Sequence, residues 1–534
     1  MELISYICKM KFIQGNSRQQ IQMLSLDDFI SLENPVRFID AFVHKLELEK
    51  LGISTSISSK QQKADQNLGG APQYQPSLFL KLYLYGYFNK IRSSRKLEQE
   101  AKRNIELRWL LEEIVPNYHS IADFRKKYAT VLKRLFKLYV QFLCDAELIG
   151  KEIIALDGSK FRAVNSKKNN FNQKKIDKHL LLIEEKTSKY LQQLDELDKQ
   201  ENSSDEIVLR KEKIRDGLQQ LKERKLKYEV LEEQLNNTEE KQISTTDAES
   251  RALLINKNIV EVAYNNQCVV DAKHNLIVHT QATNQNDTQA LHNQCLQAIE
   301  NIAATKETIL VLADKGYHNG KQLQQCQDEK ITTIVAAKEQ PSVKHLDDGF
   351  LIKDFTYNKE SNTYTCPAAQ TLTTKGTWHN KKREEGNTSY RFQKYTTKAC
   401  STCPLKERCT KRKSRELERS EYQDAVDKNN RAQQQNMDTY KRRQAIVEHP
   451  FGTIKRSWGY SYTLLKGIEK VDGELNLIML CYNIKRTMNI LGMDKLNEKL
   501  ENWSPDYKKV YFHHFLPIYC RFLSRNSQTY FLTT

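Results

Sequence analysis

No stretch of the 534 residues approaches the roughly 20 consecutive apolar residues that span a bilayer. The opening segment Met1–Met10 is too short for a secretory signal and lacks a small-residue cleavage site. Glycine (18) and proline (10) are sparse, and collagen-like, mucin-like, membrane and secreted-disulfide classes are excluded. Acid is the minority charge: 67 Asp and Glu stand against 84 Lys and Arg, a formal net charge of +17. Such an excess implies a polyanionic partner, nucleic acid ahead of an acidic membrane surface. Eleven cysteines, an odd count without an export signal, imply free thiols in a reducing compartment. Seven of them (Cys8, Cys144, Cys268, Cys295, Cys326, Cys481 and Cys520) are scattered singly and read as inert.

What is present divides the chain. Residues 1 to about 150 read as helical, with Pro76–Asn89 apolar on most faces, as the central helix of a small bundle would be. Gly69–Pro72 reads as a loop before it. His119-Ser120 reads as a helix cap preceding the basic run Ile121–Lys127. A helical unit this basic fits phosphate contacts, although a solvated charged face has the same composition. Glu152–Asp157 is a strand-length apolar run ending in an acid. Residues 174–245 are rich in Lys, Glu, Gln and Leu, with Leu180, Ile183, Tyr190, Leu194, Leu197, Ile214, Leu218, Leu221 and Leu235 at helical spacings. They predict an antiparallel helical hairpin or short coiled coil, a structural or oligomerising arm. Strands return over 258–264, 267–270 and 276–280; a helix is expected over 287–304, and further strands over 308–314 and 331–337. Residues 341–438 read as a Cys-bearing insertion of short strands and loops. Helices resume from Tyr440 and over 475–491.

Among 67 acids, position carries the information. Asp157 and Asp314 each close a strand apolar enough to be central in one sheet. Neighbouring strand ends would set these carboxylates side by side, where a cation must separate them or one takes up a proton. Hard oxygen ligands favour Mg²⁺ or Mn²⁺. Asp271 also ends a strand, but Asp271-Ala-Lys-His-Asn275 is hairpin-turn chemistry. Glu448 is the candidate third carboxylate; Lys455 would share its face if the helix passed Pro450 and Gly452, and a basic helix with a salt bridge is the plainer reading. Cys366, Cys400, Cys403 and Cys409 have spacings compatible with a structural zinc, with reduced thiols or disulfides as alternatives. Trp378 reads as a packed surface residue or a base-stacking platform.

These pieces, in order, resemble the DDE transposases of bacterial insertion sequences. Pro76–Lys127 is similar to the family's N-terminal helical domain. Ala155-Leu-Asp157-Gly-Ser-Lys resembles its first catalytic strand, and Val262–Gln267 with Val270–Val278 the next two. Ala313-Asp314-Lys-Gly-Tyr-His resembles the second acidic motif, Arg443–Lys455 the third, and Leu465–Val471 with Asn483–Arg486 the end of the domain. Relatives often carry Arg one helical turn before the Glu; here Gln444 stands there and Arg443 is five residues ahead.

The resemblance implies an α/β fold: an RNase H-like mixed sheet flanked by helices over 149–492, interrupted by a helical hairpin (174–245) and a Cys-containing insertion (341–438). An all-α DNA-binding domain would occupy 20–148, after an extension over 1–19 and before a tail over 493–534. It implies two Mg²⁺ (or Mn²⁺) ions on Asp157, Asp314 and Glu448, cleaving DNA at the element's inverted repeats and joining it to target DNA. Arg92, Arg95, Lys96, Arg125, Lys126, Lys127, Tyr440, Arg443 and Lys455 would contact double-stranded DNA. A homodimer in the synaptic complex and a cytoplasmic, nucleoid-associated bacterial protein without a membrane role are also implied. Competing readings are a non-catalytic DNA-binding protein on a decayed RNase H-like fold, and a nuclease of that fold that cuts without joining.

Overall fold

The computed structural model describes residues 23–55, 73–199, 205–237, 240–256, 259–337, 350–381 and 390–511, together with Gln19 and Ile21. The 1–19 extension apart from Gln19, the loop over 69–72, most of the 493–534 tail, and Cys8 and Cys520 lie outside the described residues.

The main sheet is built on β1 (Ile153–Arg162), whose Ile154, Ala155 and Leu156 are fully buried. It pairs antiparallel with β5 (Ile259–Asp271) and parallel with β7 (Leu310–Ala313). Outside β7 lies parallel β8 (Thr332–Val335); on the far side of β5 lie β6 (Ile277–Thr283) and β4 (Arg251–Asn256), both antiparallel to it. The expected strands at 258–264 and 267–270 are therefore one continuous strand. A second, six-stranded sheet, from strand Thr356–Asn358 to strand Leu417–Ser420, occupies the Cys-bearing insertion, and β2 (Asn170–Phe171) with β3 (Ile243–Ser244) forms a two-stranded pair.

Two long helices, Gln173–Asp198 and Asp205–Asn236, pack against each other between β2 and β3. Their Ile176, Ile183, Leu197, Ile214, Leu221, Leu231 and Leu235 are buried. The N-terminal region is all helix. Pro76–Phe88, opened by proline at its first turn, buries every residue from Leu78 to Phe88. The next cap differs from expectation: Asn117, not His119 or Ser120, starts helix Tyr118–Lys127 by accepting the Ser120 N–H.

Helix Ile468–Leu491 explains why both units share one core. It is apolar nearly all round because it lies between β6 on one side and helices Pro76–Phe88 and Ala129–Asp145 on the other. Its few buried polar groups satisfy specific backbone atoms. Asn483 accepts the Ile277 N–H (2.9 Å) and donates to the Ile277 carbonyl (2.8 Å), and Asp472 accepts the Ala282 N–H (2.7 Å), all on edge strand β6. Glu474, fully buried, accepts the Leu464 and Leu465 N–H groups and lies 3.6 Å from Arg92. On the opposite edge, Asn429 of helix Gln423–Gln435 accepts the Val335 N–H (2.9 Å) and donates to its carbonyl (2.8 Å). A side-chain amide thus stands where a further strand's peptide group would pair.

The closest crossing is at Gly473, where an added Cβ would lie 2.7 Å from the Ala129 Cα and carbonyl carbon. Backbone has no rotamer with which to yield. Gly473→Ala is therefore expected to destabilise the fold by about 2 kcal/mol or more, despite the better helix propensity of alanine. A lowered urea midpoint measures this; an unchanged midpoint would show that the two helices can separate freely.

Candidate active site

The parallel register pairs Leu156 with Ala313. One step further stand Asp157, still in β1, and Asp314, which follows the last residue of β7 and caps the turn Lys315–Tyr317, so the sheet brings the two acids into one neighbourhood. Each carboxylate is held by a glycine amide: Gly158 N–H donates to Asp157 Oδ1 (2.8 Å) and Gly316 N–H to Asp314 Oδ1 (2.8 Å). Burial, with the charges of Asp314 and Asp287, pushes the Asp157 carboxyl up to about 6 against the pull of Arg443. Arg443 Nη1 stands 3.6 Å from Asp157 Oδ2; it is buried and makes no hydrogen bond.

Glu448 lies on helix Met437–Phe451, which packs against β1, β5 and β7. Its side chain is exposed and accepts a hydrogen bond from Gln444 Nε2 at 2.8 Å. The helix passes through Pro450 and continues into a π-helical segment, Gly452–Ser457. That wider turn changes the register that would have kept Lys455 on the face of Glu448. Lys455 instead lies against β1, its Nζ donating to the Lys160 carbonyl (2.6 Å) and standing 4.5 Å from the centre of the Phe161 ring. Tyr440, on the same helix as Glu448, is half-buried against the main core. Asp271 behaves as a turn residue, accepting the Gly150, Lys151 and Lys273 N–H groups.

One acid here escaped sequence reasoning. Asp287 opens a single 3-10 turn (Asp287–Gln289) rather than the first turn of the expected helix, which begins at Leu291. Its Oδ2 meets Lys160 Nζ at 2.9 Å, and its Oδ1 accepts from Asn265 Nδ2 (2.8 Å) and Gln267 Nε2 (2.7 Å). Burial pushes this carboxyl up, but Lys160 and the amide donors outweigh it and hold the group below the usual carboxylate range. Its partners come from β1 and β5, so no local motif announces it.

The basic residues divide into two sets. Arg95, Lys96, Lys126 and Lys127 are exposed on the packed helices Ser94–Arg103 and Tyr118–Lys127. Arg92 and Arg125 are buried. Arg92 lies over the Tyr460 and Tyr462 rings and donates to the Tyr462 carbonyl; Arg125 donates to Tyr87 and to the Arg92 carbonyl. Those two guanidiniums join the helical region to the segment after Gly459 and do not face solvent, contrary to the expectation that they meet DNA.

Cys366, Cys400, Cys403 and Cys409 are all half-buried around one cavity of the insertion, with Cys366 Sγ accepting the Gln370 N–H at 3.3 Å. Among the described residues, however, no three His, Cys, Asp or Glu side chains converge closely enough to hold a metal ion, here or around Asp157. Trp378 is exposed, with Arg391 5.4 Å from its ring centre.

Lys455 gives the region a pH signature. Burial and the neighbouring Lys160 push its ammonium down to about 8 from the usual 10.5. Between those values the unfolded chain binds more protons than the folded one, so this group makes stability rise with pH through that window. Lys455→Met is expected to remove that component. The change in denaturation midpoint between about pH 7.5 and pH 10 should be smaller than in the wild type; an equal change would mean that Lys455 titrates normally.

Two transposase families match the chain. Residues 24–127 match "Transposase domain (DUF772)" and residues 365–488 match "Transposase DDE domain". The second range contains Tyr440, Arg443, Glu448, Lys455 and the four clustered cysteines; Asp157 and Asp314 precede it. No curated protein matches the chain. No helix among the described residues is long and apolar enough to cross a membrane. A transposase helical domain followed in order by a transposase DDE domain supports a DDE transposase of an insertion element.

Proposed function

We propose that this transposase cuts DNA at the ends of its own element and joins those ends to target DNA, using divalent cations held by Asp157, Asp314 and Glu448. The observation that supports the reading is the parallel register of Leu156 with Ala313, the residues directly before Asp157 and Asp314. The strand order β6-β5-β1-β7-β8, three antiparallel strands followed by two parallel ones, supports an RNase H-like fold for the catalytic unit.

The residues fit a hard cation in their donor chemistry. Two carboxylates share one neighbourhood, and the proton affinity of Asp157 is raised by burial first and then by the anions Asp314 and Asp287. Asp157 and Asp314 would hold the cations, with Glu448 as the third acid on the helix alongside. Bound Mg²⁺ or Mn²⁺ supplies activation of water or a DNA 3′-hydroxyl and stabilisation of the leaving oxygen. The protein's own groups do the rest. The Gly158 and Gly316 amides fix the two carboxylates. The unbonded Arg443 N–H is a donor for a phosphate oxygen, and Lys455 adds positive charge beside β1. Arg95, Lys96, Lys126 and Lys127 offer the exposed cations for duplex phosphates. Because two element ends must be brought together, a homodimer is the working assembly.

The test is cleavage and joining of DNA carrying the gene's own flanks, in Mg²⁺ or EDTA. Asp157→Ala, Asp314→Ala and Glu448→Ala should each lose cleavage by about a thousandfold or more, as loss of several kcal/mol of transition-state stabilisation requires. Undiminished cleavage in any one variant removes that residue from the site. Binding without cleavage by the wild type would favour the non-catalytic DNA-binding reading, and cleavage without joining the nuclease. In a separate measurement, Lys126→Ala and Lys127→Ala should each lower the salt slope of DNA binding by about one. Equal slopes would move the phosphate contacts elsewhere.

A further inference from the structure

Asp287 occupies space that exists only because Gly158 lacks a side chain, and it lies beside Gly316 as well. A Cβ on Gly158 would collide with Asp287 Oδ1, and a Cβ on Gly316 would stand 3.6 Å from both Asp287 Cβ and Oδ2. These are the same two glycines whose amides grip the Asp157 and Asp314 carboxylates. Residues 158 and 160 alternate with Asp157 along β1, so Asp287 lies across the strand from the Asp157 carboxylate and meets it through the Gly158 backbone. Its own position is fixed by Lys160, Asn265 and Gln267. Gln267 is fixed in turn by the hydroxyl of fully buried Tyr317, in the turn that follows Asp314. One carboxylate therefore backs both acid-bearing turns.

We infer that Asp287 is a positioning residue: it packs against Gly158 and is tied through Gln267 and Tyr317 to the turn that follows Asp314, and so sets the spacing and orientation of the Asp157 and Asp314 carboxylates toward a divalent cation. The inference rests on the metal-dependent reading proposed above. Ligand-orienting partners of this kind typically change metal affinity 10- to 100-fold (roughly) when altered.

Wild type, Asp287→Asn and Asn265→Ala are compared by three readouts: melting temperature in EDTA, binding of element-end DNA in EDTA, and Mn²⁺ titration followed by electron paramagnetic resonance of the free ion. Asn265 donates to Asp287 Oδ1, so alanine there loosens Asp287 without placing an atom against Asp157 or Asp314. The expected result is a Mn²⁺ midpoint weakened about tenfold or more in both variants, with melting and DNA binding in EDTA close to wild type. A residue with a purely structural role would shift melting and leave the midpoint of the folded protein alone. A wild-type Mn²⁺ midpoint in folded Asp287→Asn overturns the inference. If that variant does not fold, the midpoint of Asn265→Ala decides in the same way. Absence of any Mn²⁺ response in the unsubstituted protein would instead overturn the metal-dependent reading, and this inference with it.

Discussion

Two like charges at neighbouring positions of a parallel strand pair are the constraint around which the site is arranged. At the spacing of adjacent strands, about 5 Å, two carboxylates repel by about 3 kcal/mol at an effective dielectric near 20. A fold driven only by stability would not put Asp157 beside Asp314, and the arrangement is kept in place by groups gathered from distant segments. Arg443 approaches Asp157 from the helix above the sheet. Each carboxylate takes a glycine amide. Lys160 faces a further acid, Asp287. Burial, with a smaller contribution from Asp314 and Asp287, pushes the Asp157 carboxyl up to about 6 although a guanidinium stands close by.

The surrounding architecture makes that arrangement rigid. Helix Ile468–Leu491 belongs to the sheet and to the helical region alike, so a single apolar core runs through both. Arg92 and Arg125, with Glu474 and Tyr87, form a buried polar network at the same junction. Removing one member would leave charge or donors without partners in a dry interior, which costs far more than the network contributes when complete. The basic helices that carry Lys126 and Lys127 are thereby tied to the unit that bears the acids.

Much of this was legible in the sequence, for identifiable reasons. Asp157 and Asp314 stood out because an apolar run of strand length preceded each, and the strands are there. The two-helix hairpin was legible from its leucine and isoleucine spacing. Register was not legible, since nothing local says that Leu156 pairs with Ala313. Asp287 was missed because its partners lie on two strands and its turn resembles a helix start. Arg92 and Arg125 read as surface cations because the tyrosine rings and carbonyl that enclose Arg92 lie some 370 residues along the chain. The relation of Lys455 to Glu448 depended on whether Pro450 breaks the helix; the chain answers with a π-helical turn, which sequence spacing cannot foresee.

The asparagine covers on the two sheet edges carry a consequence for how the chain is made. Strands β6 and β8 are complete by residues 283 and 335, but their covers, Asn483 and Asn429, are synthesised 200 and 94 residues later (483 − 283 and 429 − 335). Between β8 and its cover lie the four clustered cysteines and the second sheet. While the ribosome makes these segments, the open backbone groups of both edges have only water as partner. The sheet is therefore sealed from its C-terminal end, and a chain released before residue 429 would carry two bare edges while already holding both strand-borne acids.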